Sequence, residues 1–427
     1  MKKILILLLV LLAFGFQGWA AGGTEAPTGP VTLRIMSPAS DFTDEWIAAW
    51  NTANPNIQLI REEVNQAKWI ADHLAGTPAD IINVGAGADI PYFARRNLLL
   101  DLTKYFSGSS KIGPDIDKEG SGSYFFENKW YGLPKDYNNV TAITYNKEMF
   151  TKAGIPFPSQ TVPMTYDEFY ALAKKLSQPA KGIFGTEIHG NWSTFIASDM
   201  AYMLGKTLHV ENQSKMNGDP VVRNIWKYFL RLRKDNISSN LTNTLSGWAG
   251  SAFQSDNIAM VQLGYWYGAS CAAIPGFDQK YGWAPAPVMV KGGTRVTNSL
   301  GATGFVISAK TKYPDQAFKV FEWYMADKPG IERAETGWGI PPLKSLQSKL
   351  PYGNAFDKAR KDIALEEVKY MRPPQTSWYT RNEVYLNNWK EAEREYLSGK
   401  LTEDGAIDMF YKSMNEALAL GKQEVGE

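Results

Sequence analysis

The sequence predicts an α/β fold of two lobes between which the backbone passes more than once. Three observations predict it. Strand-like and helix-like stretches alternate from residue 31 onward, and no Pro-, Gly- or Ser-rich linker divides them. At two places, near residues 136 to 142 and 299 to 304, a β-rich run follows a Pro- or Gly-containing turn and opens a new strand–helix series. A single cysteine, Cys271, rules out an internal disulfide, so stability has to come from a large core, which a 427-residue chain can bury.

The chain opens with Lys2 and Lys3, an unbroken apolar run over residues 4 to 16 and the small-residue stretch "GWAAGG". This reads as a secretory signal over residues 1–20, because the run is shorter than the ~20 residues a membrane span needs. Cleavage is expected after Ala20, with residues 21–30 as a polar linker. No cysteine follows the apolar run to carry a lipid, so the mature protein is expected to be soluble and periplasmic.

In "VTLRIMS", Val31, Leu33 and Ile35 alternate with polar residues as a strand requires. "DFTDEWIAAWNTANPN" carries acids in its first turn and Trp46, Ala49 and Trp50 at helical spacing, with Asp41 or Thr43 as its cap. "IQLIREEV", "WIADHLAG" and "ADIINVG" follow as strand, helix and strand. Such a β-α-β-α-β opening implies a parallel sheet with a crevice at the carboxyl ends of its strands. "TYDEFYALAKKLS" holds a capping box from Thr165 to Glu168, "NIAMVQL" and "TGFVISA" read as strands, and Pro314 suits the first turn of "YPDQAFKVFEWYMAD". From about residue 355 the chain reads as mostly helical, ending in "LTEDGAIDMFYKSMNEALAL".

Composition excludes several functions. Without the signal the chain has 43 basic and 44 acidic residues, an even balance that argues against nucleic acid or anionic membrane as partner. The glycines Gly85 and Gly87 follow a strand, but Ile90 stands where a dinucleotide loop needs its third glycine. His73, His189, His209 and Cys271 lack metal-ligand spacing, and no Gly-x-Ser-x-Gly elbow follows a strand. Neither cofactor nor metal is expected.

Five segments, "PADIINVGAGADIPYFARRNLLLDLT", "WYGLPKDYNNVTAITYNKEMFTKAGIPFPSQTVPMTYDEF", "FQSDNIAMVQLGYW", "GATGFVISAKTKYPDQAFKVFEWYM" and "LSGKLTEDGAIDMFYKSM", resemble successive blocks of the extracellular solute-binding proteins that serve carbohydrate ABC importers. The maltose- and multiple-sugar-binding proteins are the relatives meant. The resemblance implies a Venus-flytrap fold with a hinge and an interlobe ligand cleft. It implies residues 31–138 and 300–345 as one lobe, and 139–299 and 346–427 as the other. It further implies a monomer that captures a sugar or small oligosaccharide and delivers it to importer permease subunits. Two readings compete with it: a secreted carbohydrate-active hydrolase, and a ligand-sensing subunit for a receptor.

A pyranose offers an apolar C–H face and a rim of hydroxyls, so its site needs flat rings and polar edge groups. Trp46, Trp50, Trp69, Trp226, Trp323 and Trp389 lie in helical patterns and read as core. Trp192, Trp248, Trp266, Trp338 and Trp378 lie in turn-rich contexts, where a ring is freer to face a ligand. The resemblance matches Asp41 to an acid after the first strand, Gly85, Ala86 and Asp89 to a ligand-contacting loop, Asp136 to the cleft acid, Trp266 to a stacking ring, and Trp378, Tyr379 and Arg381 to an aromatic-plus-basic cluster. Asp136 and Tyr137 are expected at the cleft mouth, Gly301 completes the expected ligand set, and Trp266 and Trp378 are expected to meet across the cleft.

Overall fold

The structure, a computed structural model, describes residues 29–427 except 86, 140, 189–191, 246, 299 and 302. The expected signal and most of the linker lie outside the described residues, as do Ala86 and His189.

The first lobe is built on a five-stranded sheet in the order Ile57–Glu62, Val31–Met36, Ile81–Val84, Gly304–Ile307, Gly132–Pro134. Its first three strands are parallel, with Val31 opposite Ile57 and Ile35 opposite Ile81. Gly304–Ile307 runs antiparallel to both of its neighbours. The alternation of Val31, Leu33 and Ile35 places all three inside, against Leu133, Phe305 and Phe321. Helices Asp44–Ala53 and Gln66–Ala75 connect the parallel strands. The first is capped by Thr43, whose hydroxyl accepts from Trp46 N at 3.2 Å. That choice frees Asp41 for other work. Gly76 ends the second helix in the left-handed conformation, φ +83°, which glycine adopts without a Cβ penalty.

The second lobe carries a four-stranded sheet in the order Tyr281–Ala284, Ile143–Asn146, Ile258–Val261, Phe184–Glu187. Its core gathers Tyr145, Phe169, Ile225, Trp226, Trp389 and Phe410, so the closing helices Asn382–Leu397 and Glu403–Glu424 pack on this lobe. Helix Tyr166–Leu176 starts with the capping box read from the sequence: Glu168 N donates to Thr165 Oγ1 at 3.0 Å and Thr165 N to Glu168 Oε2 at 2.7 Å, a device worth about 1 kcal/mol. All six helical tryptophans lie in a core or pack against one.

Among the described residues the chain leaves the first lobe after Gly132–Pro134, returns to it before Gly304–Ile307, and leaves it again between Leu346 and Phe356. At the hinge Tyr137–Asn138 pairs antiparallel with Leu300–Gly301, and Thr297–Asn298 pairs parallel with Met371–Arg372. Asp199, buried in helix Trp192–Met203, fastens two crossings: it accepts from Thr141 Oγ1 at 3.3 Å and from Asn298 N at 3.1 Å. Tyr137, Tyr265, Ile340, Leu350, Ala364 and Met371 fill the space where the crossings converge. The molecule is thus a two-lobed α/β protein with a hinge and a cleft between its lobes.

Candidate functional site

Three tryptophans form a shelf that joins the lobes. Trp248 precedes the helix Ala249–Gln254 and Trp266 precedes Tyr267–Ala272, both in the second lobe. Trp338 follows the first-lobe helix Lys328–Thr336, which Gly337 ends in the left-handed conformation. The Trp248 and Trp266 rings stack at 5.8 Å and 16°, and Trp266 and Trp338 lie 5.9 Å apart at 51°. Trp248 is 39 % and Trp338 42 % exposed, unusual for rings of this size.

Asp136 lies beneath the same shelf. A Cβ on Gly339 would fall 2.3 Å from the Asp136 carboxyl carbon, so only glycine lets the chain after Trp338 cross there. Asn138 couples acid to shelf, donating from Nδ2 to Asp136 Oδ1 at 3.3 Å and accepting from Trp266 N at 2.8 Å. Asp136 Oδ2 accepts no hydrogen bond; its nearest cation is Lys135 Nζ at 3.7 Å. Burial pushes the Asp136 carboxyl up to about 6, with Lys135 and Arg333 opposing the rise. A carboxyl raised in the folded state costs stability as pH climbs from about 4 to about 6, and the cost stays in full above that. Asp136→Asn is therefore expected to raise the unfolding free energy at pH 7 by on the order of 1 to 3 kcal/mol and to leave it unchanged near pH 4, as urea titrations at the two pH values would show.

Lys135 is the centre of a second buried group. Its ammonium lies 3.0 Å from Asp41 Oδ1, while Asp41 Oδ2 accepts from Thr303 Oγ1 at 2.6 Å and Asn83 Nδ2 at 3.1 Å. Asp41 therefore ties together the loop after the first strand, the third strand and the returning strand of one lobe. Sequence reading passed over Lys135, Asn138 and Gly339, because nothing local marks a lysine, an amide or a glycine that acts through distant partners.

The remaining expected residues fall elsewhere. Tyr137 is not at the cleft mouth: it is fully buried, with its hydroxyl donating to Asp117 Oδ2 at 2.8 Å and its ring filling the gap over Gly120. Asp136 is likewise buried, 2 % exposed. Tyr379 is in the second-lobe core, its hydroxyl 2.7 Å from Glu427 Oε2. Trp266 and Trp378 do not meet; Trp378 packs on Phe126 at 5.7 Å, with the Arg95 guanidinium 4.4 Å from its ring. Trp192 opens a helix, where it packs with Phe195 of the same helix and with Ala88 of the facing lobe. Asp89 Oδ1 accepts from Asn382 N at 2.8 Å across the cleft, and burial pushes this carboxyl too up to about 6. Arg381 pairs with Glu383 at 3.0 Å, Gly301 lies in the hinge ladder opposite Tyr137, and Gly85 is exposed.

Further contacts join the lobes on this side. Arg96 Nη2 lies 2.6 Å from Glu424 Oε2 and donates from Nη1 to Trp378 O at 3.4 Å, and Arg95 pairs with Glu427. A pocket of about 200 Å³ is lined from both lobes, by Ala88, Ser123 and Phe126 on one side and Tyr202, Gln375 and Trp378 on the other. Among the described residues no helix is long and apolar enough to cross a membrane, and no group of three His, Cys, Asp or Glu is placed to hold a metal.

Comparison with known proteins agrees with this architecture. An ABC transporter extracellular-binding protein of Pyrococcus horikoshii, itself uncharacterised, is 23 % identical over 396 residues, covering 86 % of each chain. A solute-binding protein from Thermotoga lettingae, solved with α-D-tagatose, superposes with a TM-score of 0.73 at 19 % identity, over 92 % of this chain and 100 % of that one. A Listeria monocytogenes substrate-binding protein in complex with cycloalternan gives 0.74 at 18 % identity, over 92 % and 99 %. A family model described as bacterial extracellular solute-binding protein matches residues 37–330, more than half the chain, and this protein belongs to that family.

Proposed function

We propose that the protein captures a neutral sugar or small oligosaccharide between its lobes, closes on it by hinge bending, and presents the closed form to the permease of a membrane importer, as a monomer and without catalysing a reaction. One observation carries the reading: a shelf of three tryptophans, drawn from both lobes and exposed at Trp248 and Trp338, lies over a buried carboxylate of which one oxygen accepts no hydrogen bond. Stacked rings suit the C–H face of a pyranose, and Asp136 suits a hydroxyl donor at its edge. Because the rings come from both lobes, a ligand on the shelf contacts both and favours the closed form by its differential affinity. The ligand groups that go with this reading are Trp248, Trp266, Trp338 and Asp136, with residues 31–138 and 300–345 moving against 139–299 and 346–427.

A thermal-unfolding screen of the mature chain against a sugar panel tests it. A bound sugar at a hundred times its dissociation constant is expected to stabilise the protein by about 2.7 kcal/mol, and small-angle scattering should then show a smaller radius of gyration. Release of a smaller sugar during incubation would favour a hydrolase instead; no shift with any sugar would overturn the reading.

A further inference from the structure

The shelf continues into a recess of about 660 Å³ inside the second lobe. Trp248 belongs to both: its ring stacks on Trp266 and it lines the recess. The recess is closed by the end of strand Phe184–Glu187, by the loop before Trp248 with Leu241 and Thr244, and by helices Pro220–Lys234 and Asn382–Leu397. Its volume falls within the 300 to 1,000 Å³ or so typical of small-molecule sites.

Arg233 organises the floor. It donates from Nη1 to Glu187 Oε1 at 2.5 Å and to Ser239 O at 2.7 Å, and from Nε to Glu393 Oε1 at 3.1 Å. Glu187 Oε2 is taken by Ser239 N at 2.8 Å. These contacts fix the guanidinium and both carboxylates, yet they use neither Nη2 of Arg233 nor Oε2 of Glu393. A charged donor and a charged acceptor are thus held side by side with capacity to spare, against apolar walls from Phe229, Leu245 and Trp389. Two carboxylates, Glu187 and Glu393, flank Arg233 on the floor, and Lys390 and Arg394 stand at the rim, so the lining carries three cations to two carboxylates and the excess charge lies at the rim, away from the floor. A neutral polyol gains a paired donor and acceptor for its hydroxyls and apolar surface for its ring faces.

We infer that this recess is a second sugar subsite, which takes the remote units of an oligosaccharide whose leading unit stacks on the tryptophan shelf. The inference rests on the sugar-binding reading and sharpens it: the ligand is a chain of three or more units, because a mono- or disaccharide on the shelf leaves the recess unused.

Calorimetric titration of the full mature chain tests this with D-glucose and with α-1,4- and β-1,4-linked gluco- and xylo-oligosaccharides of increasing length. In the series that binds, affinity is expected to rise about tenfold or more from the disaccharide to the tri- or tetrasaccharide. Leu241→Trp, at a position 52 % exposed and therefore compatible with folding, fills the mouth of the recess. It should abolish that gain while leaving disaccharide affinity within about twofold. Thr244→Trp should repeat the result, with unfolding midpoints checked for both variants. Equal affinity for all lengths, or a length gain that survives both variants, overturns the subsite while leaving sugar binding standing. Binding of no sugar overturns the functional reading itself, and the subsite with it.

Discussion

Trp266→Ala is expected to weaken sugar binding by roughly 1 to 4 kcal/mol, the loss seen when an anchoring aromatic is removed. The ring is the middle member of the shelf, between Trp248 and Trp338, so its loss breaks the contact between the lobes' aromatic surfaces as well as the stacking face. It is only half-buried, so the free protein should keep most of its stability. Trp226→Ala is the control: that ring is fully buried beside Trp389 and Phe410, and truncation should cost about 3 to 5 kcal/mol of folding free energy while leaving affinity per folded molecule unchanged. Titration calorimetry and urea unfolding on both variants separate the roles. If Trp266→Ala behaves like the control, the shelf is packing and not recognition.

Lys135→Met should destabilise the protein by about 3 to 5 kcal/mol at neutral pH, because it leaves two buried carboxylates without their shared cation. The two acids titrate with opposite sign. Burial raises Asp41, but Lys135 and the hydrogen bonds from Thr303 and Asn83 outweigh it and hold the group below the ordinary carboxylate range. Its contribution is full above the unfolded value, about 3.9, and is lost as pH falls through the lower folded one. Asp136 is raised, to about 6, and costs stability as pH rises. Without Lys135 both carboxyls should take up protons more readily on folding. The penalty should therefore shrink between pH 7 and about pH 4.5. A loss of equal size at both pH values would show that the lysine acts by packing its stem and not by charge.

Much of the fold was legible because its signals are local. Alternation in Val31, Leu33 and Ile35, the Thr165–Glu168 capping box and Pro314 in a first turn each act within a few residues, and each forms as read. Whether Asp41 or Thr43 caps the first helix was not decidable, because both side chains can accept from a helix start; the outcome depends on Lys135, ninety-four residues away. The same limit governs the site. Turn-rich surroundings marked Trp248 and Trp338 as rings able to face solvent, yet their meeting with Trp266 arises from the lobes' packing. Tyr137 and Tyr379 sit beside promising residues in sequence but are drawn inward by Asp117 and Glu427. An aromatic next to an acid looks the same whichever way it turns.

The ion pairs of Arg96 with Glu424, at the end of the last helix, and of Arg95 with Glu427, just beyond it, touch no part of the tryptophan shelf, yet they join the two lobes that supply it. Glu424 and Glu427 are partly exposed, so added electrolyte screens these pairs. The screening lowers the fraction of molecules poised to accept ligand, and apparent dissociation constants scale inversely with that fraction. Under the proposed reading, recognition of an uncharged molecule would thereby acquire a dependence on ionic strength, making the salinity of the surroundings an input to uptake.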